Sequence, residues 1–256
     1  MSSNKIKTGD VFQTNEGGSV VVVEYINHMK VLVEHSDEYA HRATVRSCHL
    51  RNGQLKNPYK KHAYGFGFIG DGNYTSRSGG ERAPAYESWK GILTRAYCEK
   101  FHKKHPSYLG VTVCDEWLNF QVFASWWNKE PNSGRVDFHL DKDLRIGGNK
   151  EYSPRACSFV PASINALIAG CDNACGSLPQ GVRTRGKAFQ AALRVKGKSV
   201  YLGTYGTPEQ AFKAYQSAKE QHVRLMAQEW KQHLRTEVYE YLVGWRLSKE
   251  DAAHGK

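Results

Sequence analysis

Between Gly181 and Thr204 apolar and polar residues alternate, and a proline-started helical pattern follows at once. Alternation sends successive side chains to opposite faces of a strand. Turn signals at Gly186-Lys187 and Lys196-Gly197-Lys198 divide the segment into three short strands. Phe189, Ala191, Leu193 and Val195 then share one face, joined by Val200 and Leu202. That face needs a cover. Thr207 is a natural N-cap and Pro208 suits a first helical turn. Ala211, Phe212, Tyr215, Ala218 and His222 recur at three- and four-residue spacing, as the covering stripe of a helix does. The other face of the sheet carries Gln190, Ala192, Arg194, Lys196 and Tyr201, with Arg183 and Arg185 from the first strand. Gly181 to Thr204 holds six basic residues, Lys187 among them, and no acidic one. A flat ribbon of this kind fits the major groove of a duplex. Arginine there bonds guanine bidentately, and lysine neutralises phosphate.

The whole chain agrees in sign. Its 256 residues carry a formal net charge of +11 and a pI near 9.3, which favours an anionic partner, nucleic acid before a membrane surface. With 40% hydrophobic and 12% aromatic residues it can build real cores. The longest apolar run is Val20 to Val23, far short of the roughly 20 residues that cross a bilayer. Met1 to Lys7 is polar and lacks the apolar stretch of a secretory leader, so a cytoplasmic location is expected. Cys48, Cys98, Cys114, Cys157, Cys171 and Cys175 are scattered. Only Cys171 and Cys175 lie close together and no second pair follows, so they are read as free thiols rather than zinc ligands.

The rest of the chain reads as α+β. Residues 1–57 form an N-terminal β module, barrel-like, with strands at Ser19–Ile26, Met29–Glu34 and Arg42–Ser47. Residues 58–84 are a glycine- and aromatic-rich linker whose rings pin it to a neighbouring core. Residues 85–169 are a compact α+β unit with helices at Tyr86–Phe101 and Asn119–Asn128 and a short strand at Val111–Cys114. It ends in a strand at Phe138–Leu144, a polar loop through Gly147-Gly148-Asn149, a strand at Cys157–Val160 and a helix opened by Pro161. Residues 170–180 are a second linker, and 181–248 the sheet-plus-helix module. His102 and His105 lie in the lysine-rich stretch Lys100–His105 and are read as solvated or phosphate-facing.

Two resemblances follow. Gly181-Val-Arg-x-Arg185, Phe189-x-Ala191, Tyr201-Leu-Gly-Thr-Tyr205 and Pro208-Glu-x-Ala-x-x-Ala-Tyr215 resemble the DNA-binding domain of plant ethylene-response factors, which also ends many phage and bacterial homing endonucleases. The resemblance implies that Arg183, Arg185, Arg194, Lys196 and Tyr201 face double-stranded DNA. The strand–loop–strand–helix segment resembles the ββα-metal core of HNH homing endonucleases. It matches at Leu140-Asp-Lys-Asp143, Asn149, Tyr152-Ser-Pro154, Cys157-x-Phe-Val-Pro161 and Asn165. Upstream, Trp89-x-Gly-Ile-Leu-x-Arg95 and Cys114-Asp-Glu-Trp117 also look like phage members of that group. By this resemblance Asp141 and Asn165 hold one Mg²⁺ or Mn²⁺, hard cations that take oxygen ligands. The family's general base is a histidine directly after the acidic residue, and here that place holds Lys142. Three readings stand: His139 is the base, two residues before Asp141 on the same strand face. Or Lys142, with Asp143 beside it, stabilises charge while cation-activated water attacks. Or the core is degenerate and only binds DNA. The expectation is a site-specific, metal-dependent DNA endonuclease, with a non-catalytic DNA-binding protein as its rival.

Overall fold

The computed structural model describes residues 5–146, 148–168 and 178–247. Gly147, most of the expected second linker with Cys171 and Cys175, and the tail from Ser248 lie outside the described residues. The fold is mixed α+β with several small sheets. The chain forms two compact units. The first runs to Leu109 and takes in Val113–Ser125; the second is Gly110–Thr112 and the chain from Trp126.

The first unit opens with an antiparallel meander of β1 (Val11–Gln13), β2 (Ser19–Asn27), β3 (Lys30–His35) and β4 (Arg42–Val45). The β2–β3 turn is built by Asn27, whose Oδ1 accepts from the amides of Met29 and Lys30 at 2.9 and 3.1 Å. That local bond is the reason asparagine favours turns. α1 (Ser47–Arg51) follows, and Leu50 and Leu55 complete a core with Ile6, Val20, Val22, Val31 and Val33. Alternation along β2 and β3 puts these valines on one face.

The glycine-rich stretch after Asn57 is pinned, as expected. Phe68 is buried, and its amide and carbonyl bond Leu118 O and Phe120 N. Phe66 stacks on Tyr97 at 4.0 Å. A Cβ on Gly67 would lie 2.5 Å from Leu93 and 2.8 Å from Trp89, so only glycine fits. A small hairpin of β5 (Arg77–Ser78) and β6 (Glu81–Arg82) closes the stretch. The helices α2 (Pro84–Tyr97) and α3 (Glu99–Lys104) follow, then β7 (Thr112–Val113), α4 (Asp115–Leu118) and α5 (Phe120–Lys129). The helix expected over Tyr86–Phe101 is split at Cys98 into α2 and α3, and the apolar stripe of α2 is buried at Trp89, Ile92, Leu93 and Ala96. Trp89 Nε1 donates to Trp117 O at 2.7 Å. His102 faces neither solvent nor phosphate alone: its Nε2 lies 2.8 Å from Arg95 O.

The second unit contains β8 (Phe138–Asp141), β9 (Glu151–Tyr152), β10 (Ser158–Pro161) and α6 (Ala162–Ile168). It continues with β11 (Val182–Arg185), β12 (Ala188–Val195), β13 (Lys198–Tyr205), α7 (Pro208–Glu229) and α8 (Thr236–Gly244). A hydrophobic core spans the unit: Leu144, Val160 and Ile164 belong to it together with Val182, Leu193, Tyr215, Val223 and Leu242. The strand–loop–strand–helix segment and the sheet-plus-helix module are therefore packed as one body. Among the described residues no helix is long and apolar enough to cross a membrane.

Candidate nucleic-acid interface and cation site

The sheet runs β11-β12-β13, antiparallel throughout. Directly paired residues share a face, so the register reads out the surface. Arg183 pairs with Gln190 and Gln190 with Thr204; Arg185 pairs with Ala188, Ala192 with Tyr201 and Arg194 with Ser199. Arg183, Arg185, Lys187, Arg194, Lys196 and Tyr201 are all exposed. Two of the arginines are steered. Arg183 Nε donates to Gln190 Oε1 at 2.9 Å, and Arg194 Nε to Gly197 O at 3.3 Å. Each bond takes only Nε, and the terminal guanidinium nitrogens, which make no hydrogen bond among the described residues, form the fork that can grip a guanine edge or a phosphate. Tyr201 and Thr204 share a hydroxyl hydrogen bond of 2.9 Å. Lys196 (φ +49°) and Gly197 (φ +80°) make the turn between β12 and β13, with both central residues at positive φ as tight hairpins require.

The covered face departs from simple alternation in two places. Val200 is 43% exposed although it pairs with the buried Leu193, and the register shifts between Ala191 and Ala192. Gln190 is buried, held under Arg183 instead of standing in solvent. α7 covers the rest through Ala211, Tyr215, Lys219, Val223, Met226 and Ala227, while Phe212, Ala218 and His222 are half-buried. Thr207 caps it, accepting from Gln210 N at 3.3 Å. Gly181 (φ +76°) admits the Tyr215 ring, which a Cβ there would approach to 2.0 Å.

Lys219 is 3% exposed, with Nζ 3.3 Å from Gln180 Oε1 and 5.9 and 5.7 Å from the rings of Tyr215 and Trp245. Sequence reasoning missed it, although it stands four residues after Tyr215 and so on the buried stripe.

In the second candidate region β8 and β10 pair antiparallel, with Asp141 opposite Ser158 and His139 opposite Val160. α6 follows β10 without a loop and packs on both strands. Asp141 ends β8 and turns the chain: its Oδ1 accepts from the amides of Asp143 and Leu144, both at 2.8 Å. Its Oδ2 makes no hydrogen bond among the described residues. Burial pushes the Asp141 carboxyl above the usual carboxylate range, and the Leu144 and Asp143 amides pull it back. Ser158 Oγ, across the strand pair, is buried with no hydrogen-bond partner among the described residues.

Lys142 turns the other way. Its Nζ donates to Asp143 Oδ1 and Oδ2 at 2.7 and 2.8 Å and to Asn149 O at 2.9 Å, and the residue is 9% exposed. Asn149 answers with bonds from Nδ2 to Lys142 O and Glu151 O, at 3.0 and 2.6 Å. The structure thus brings Lys142, Asp143 and Asn149 together as a clasp on the polar loop. His139 stands exposed on β8, two residues before Asp141, and Asn165 is half-buried on α6.

Among the described residues no group of three or more His, Cys, Asp and Glu gathers as a metal cluster. A site of one carboxylate and one amide oxygen is not such a cluster. A desolvated carboxylate with one oxygen uncommitted, facing an orphaned hydroxyl, fits a hard, oxygen-seeking cation. In comparison with known proteins, no family model, curated protein or solved structure matches the chain.

Proposed function

We propose that the chain binds double-stranded DNA through the outer face of β11–β13 and hydrolyses phosphodiester bonds at the β8–β10–α6 unit. The observation that carries the proposal is the exposed sheet face, rich in basic residues and free of carboxylates, with Arg183 and Arg194 each held at Nε by a hydrogen bond. Ordinary solvated faces mix signs. This one offers a duplex two anchored arginines as base readers, with Arg185, Lys187 and Lys196 as phosphate partners.

For the chemistry, Asp141 Oδ2 and the Asn165 side-chain oxygen would hold one Mg²⁺ or Mn²⁺. Such a cation, when bound, stabilises charge on the phosphate and the leaving oxygen. His139 takes the proton of the attacking water. Asp141 keeps its carboxylate in place through the two loop amides. Lys142 and Asp143 satisfy each other, so their part is to fasten the loop that carries those amides.

A second reading has its own observation. Lys142 stands where HNH enzymes place their histidine, and its ammonium is tied into the loop. A DNA-binding protein that no longer cuts would look like this.

Plasmid cleavage by the purified chain in Mg²⁺, Mn²⁺ and EDTA separates the two. We expect metal-dependent nicking or linearisation, abolished by Asp141→Ala and by Asn165→Ala while DNA binding persists. Equal cutting by parent and variants would overturn the site. Intact binding with no cutting of any DNA, genomic DNA of the source included, would establish the second reading.

A further inference from the structure

The first unit has a basic end of its own. From Arg46 to His62 the chain holds five lysines and arginines, two histidines and no carboxylate. Local folding decides where they point. α1 and the residues after it close one end of the meander with Leu50 and Leu55. A short helix that turns Leu50 inward must turn its neighbours out, and Arg46, His49, Arg51 and Lys56 are exposed. Ser47 N donates to His28 O at 2.9 Å, which ties the β2–β3 hairpin tip to the start of α1. Lys30 and Met29 of that tip are exposed too, Met29 by 45%.

Of the neighbouring acids, Glu34 pairs with Arg42 at 2.6 Å, while Glu16 and Asp37 both accept from Asn57 and form no ion pair with Arg46, Lys56 or Lys61 among the described residues. Lys60 is turned back to the Glu16 carbonyl and is not part of the patch. Arg46, Lys56 and Lys61 form no ion pair or side-chain hydrogen bond among the described residues.

We propose that this end of the first unit is a second DNA contact, one that grips phosphates without reading sequence. Exposed cations such as Arg46, Lys56 and Lys61 neutralise phosphate well without reading bases. A membrane surface is the weaker partner, because α1 is a single short turn and offers no broad apolar face. The inference rests on the DNA-binding reading of β11–β13 and adds a site to it.

The test is the salt dependence of binding of the full chain to a duplex selected from a random pool. It compares the parent, the triple variant Arg46→Gln/Lys56→Gln/Lys61→Gln, and Arg183→Ala/Arg194→Ala. Each phosphate contact contributes about 0.9 to the slope of log K against log salt, so the triple variant should be shallower by about 2–3 with its preference for the selected sequence unchanged. A slope equal to the parent's overturns the inference and leaves the sheet reading standing. A parent with no salt-sensitive DNA binding removes both. A triple variant that binds DNA as the parent does but loses affinity for phosphatidylserine vesicles makes the patch a membrane contact and also overturns it.

Discussion

His35 shows how much one side chain sets. It closes β3 facing the core, is 5% exposed, and its Nε2 has no hydrogen-bond partner among the described residues. Burial lowers its pKa below the ordinary 6.5, with Asp37 raising it and the stacked His41 lowering it further. The unfolded chain therefore takes up a proton at a pH where the folded one does not. Stability is full above about 6.5 and is lost as pH falls from there through the lowered folded value. Urea unfolding of the parent should weaken over that window, and His35→Gln should flatten the dependence. A variant with the parent's pH profile would show that another group sets it. None of this was legible in the sequence, where His35 is one of 11 histidines and its burial follows only from strand parity.

At the level of elements, the interior of unit two is closed by a buried ion pair. Glu130, just past α5, receives Arg235 at the start of α8 through two bonds of 2.7 and 2.5 Å. The Glu130 side chain is 3% exposed and Arg235 35%. Removing one partner of a buried pair strands the other charge and costs about 3–5 kcal/mol; with Arg235 partly in water, about 3 kcal/mol is expected for Arg235→Met. Denaturant unfolding measures it, and a loss under about 1 kcal/mol would mean that solvent or a neighbour replaces the arginine. The elements themselves were largely readable. Alternation located β11–β13, spacing located α2 and α7, and turn residues located the hairpins. Three local details escaped. The register shift at Ala191/Ala192 leaves no mark in an alternating pattern. Gln190 is buried by a partner seven residues away. Lys219 lies on a stripe that periodicity identifies, but the residue type itself gives no sign of burial.

Across the whole molecule, the clearest departure from the sequence reading is the shared core of the second unit. A linker between positions 170 and 180 suggested two neighbouring modules. Leu144, Val160 and Ile164 instead pack with the residues under the basic sheet. Contacts of such sequence separation are invisible to local patterns, which report periods of two and 3.6 and nothing beyond. The candidate cation site was legible as an ordered set of residue types. What the sequence left open was the role of each, and Lys142 is the instance. Beside Asp141 it reads as catalytic; folded, it holds Asp143 and Asn149. The shared core packs the basic sheet and the segment that follows the Asp141 strand within one compact unit.

The most direct test of the DNA-binding claim is equilibrium binding of the full chain to a duplex selected from a random pool, parent against Arg183→Ala/Arg194→Ala. Each good base contact is worth roughly 1–3 kcal/mol of discrimination, so the double variant should lose most of its preference for the selected sequence while circular dichroism stays unchanged. Parent-like affinity and preference in the double variant would contradict the account, because the outer face of β11–β13 would then not be what reads the duplex.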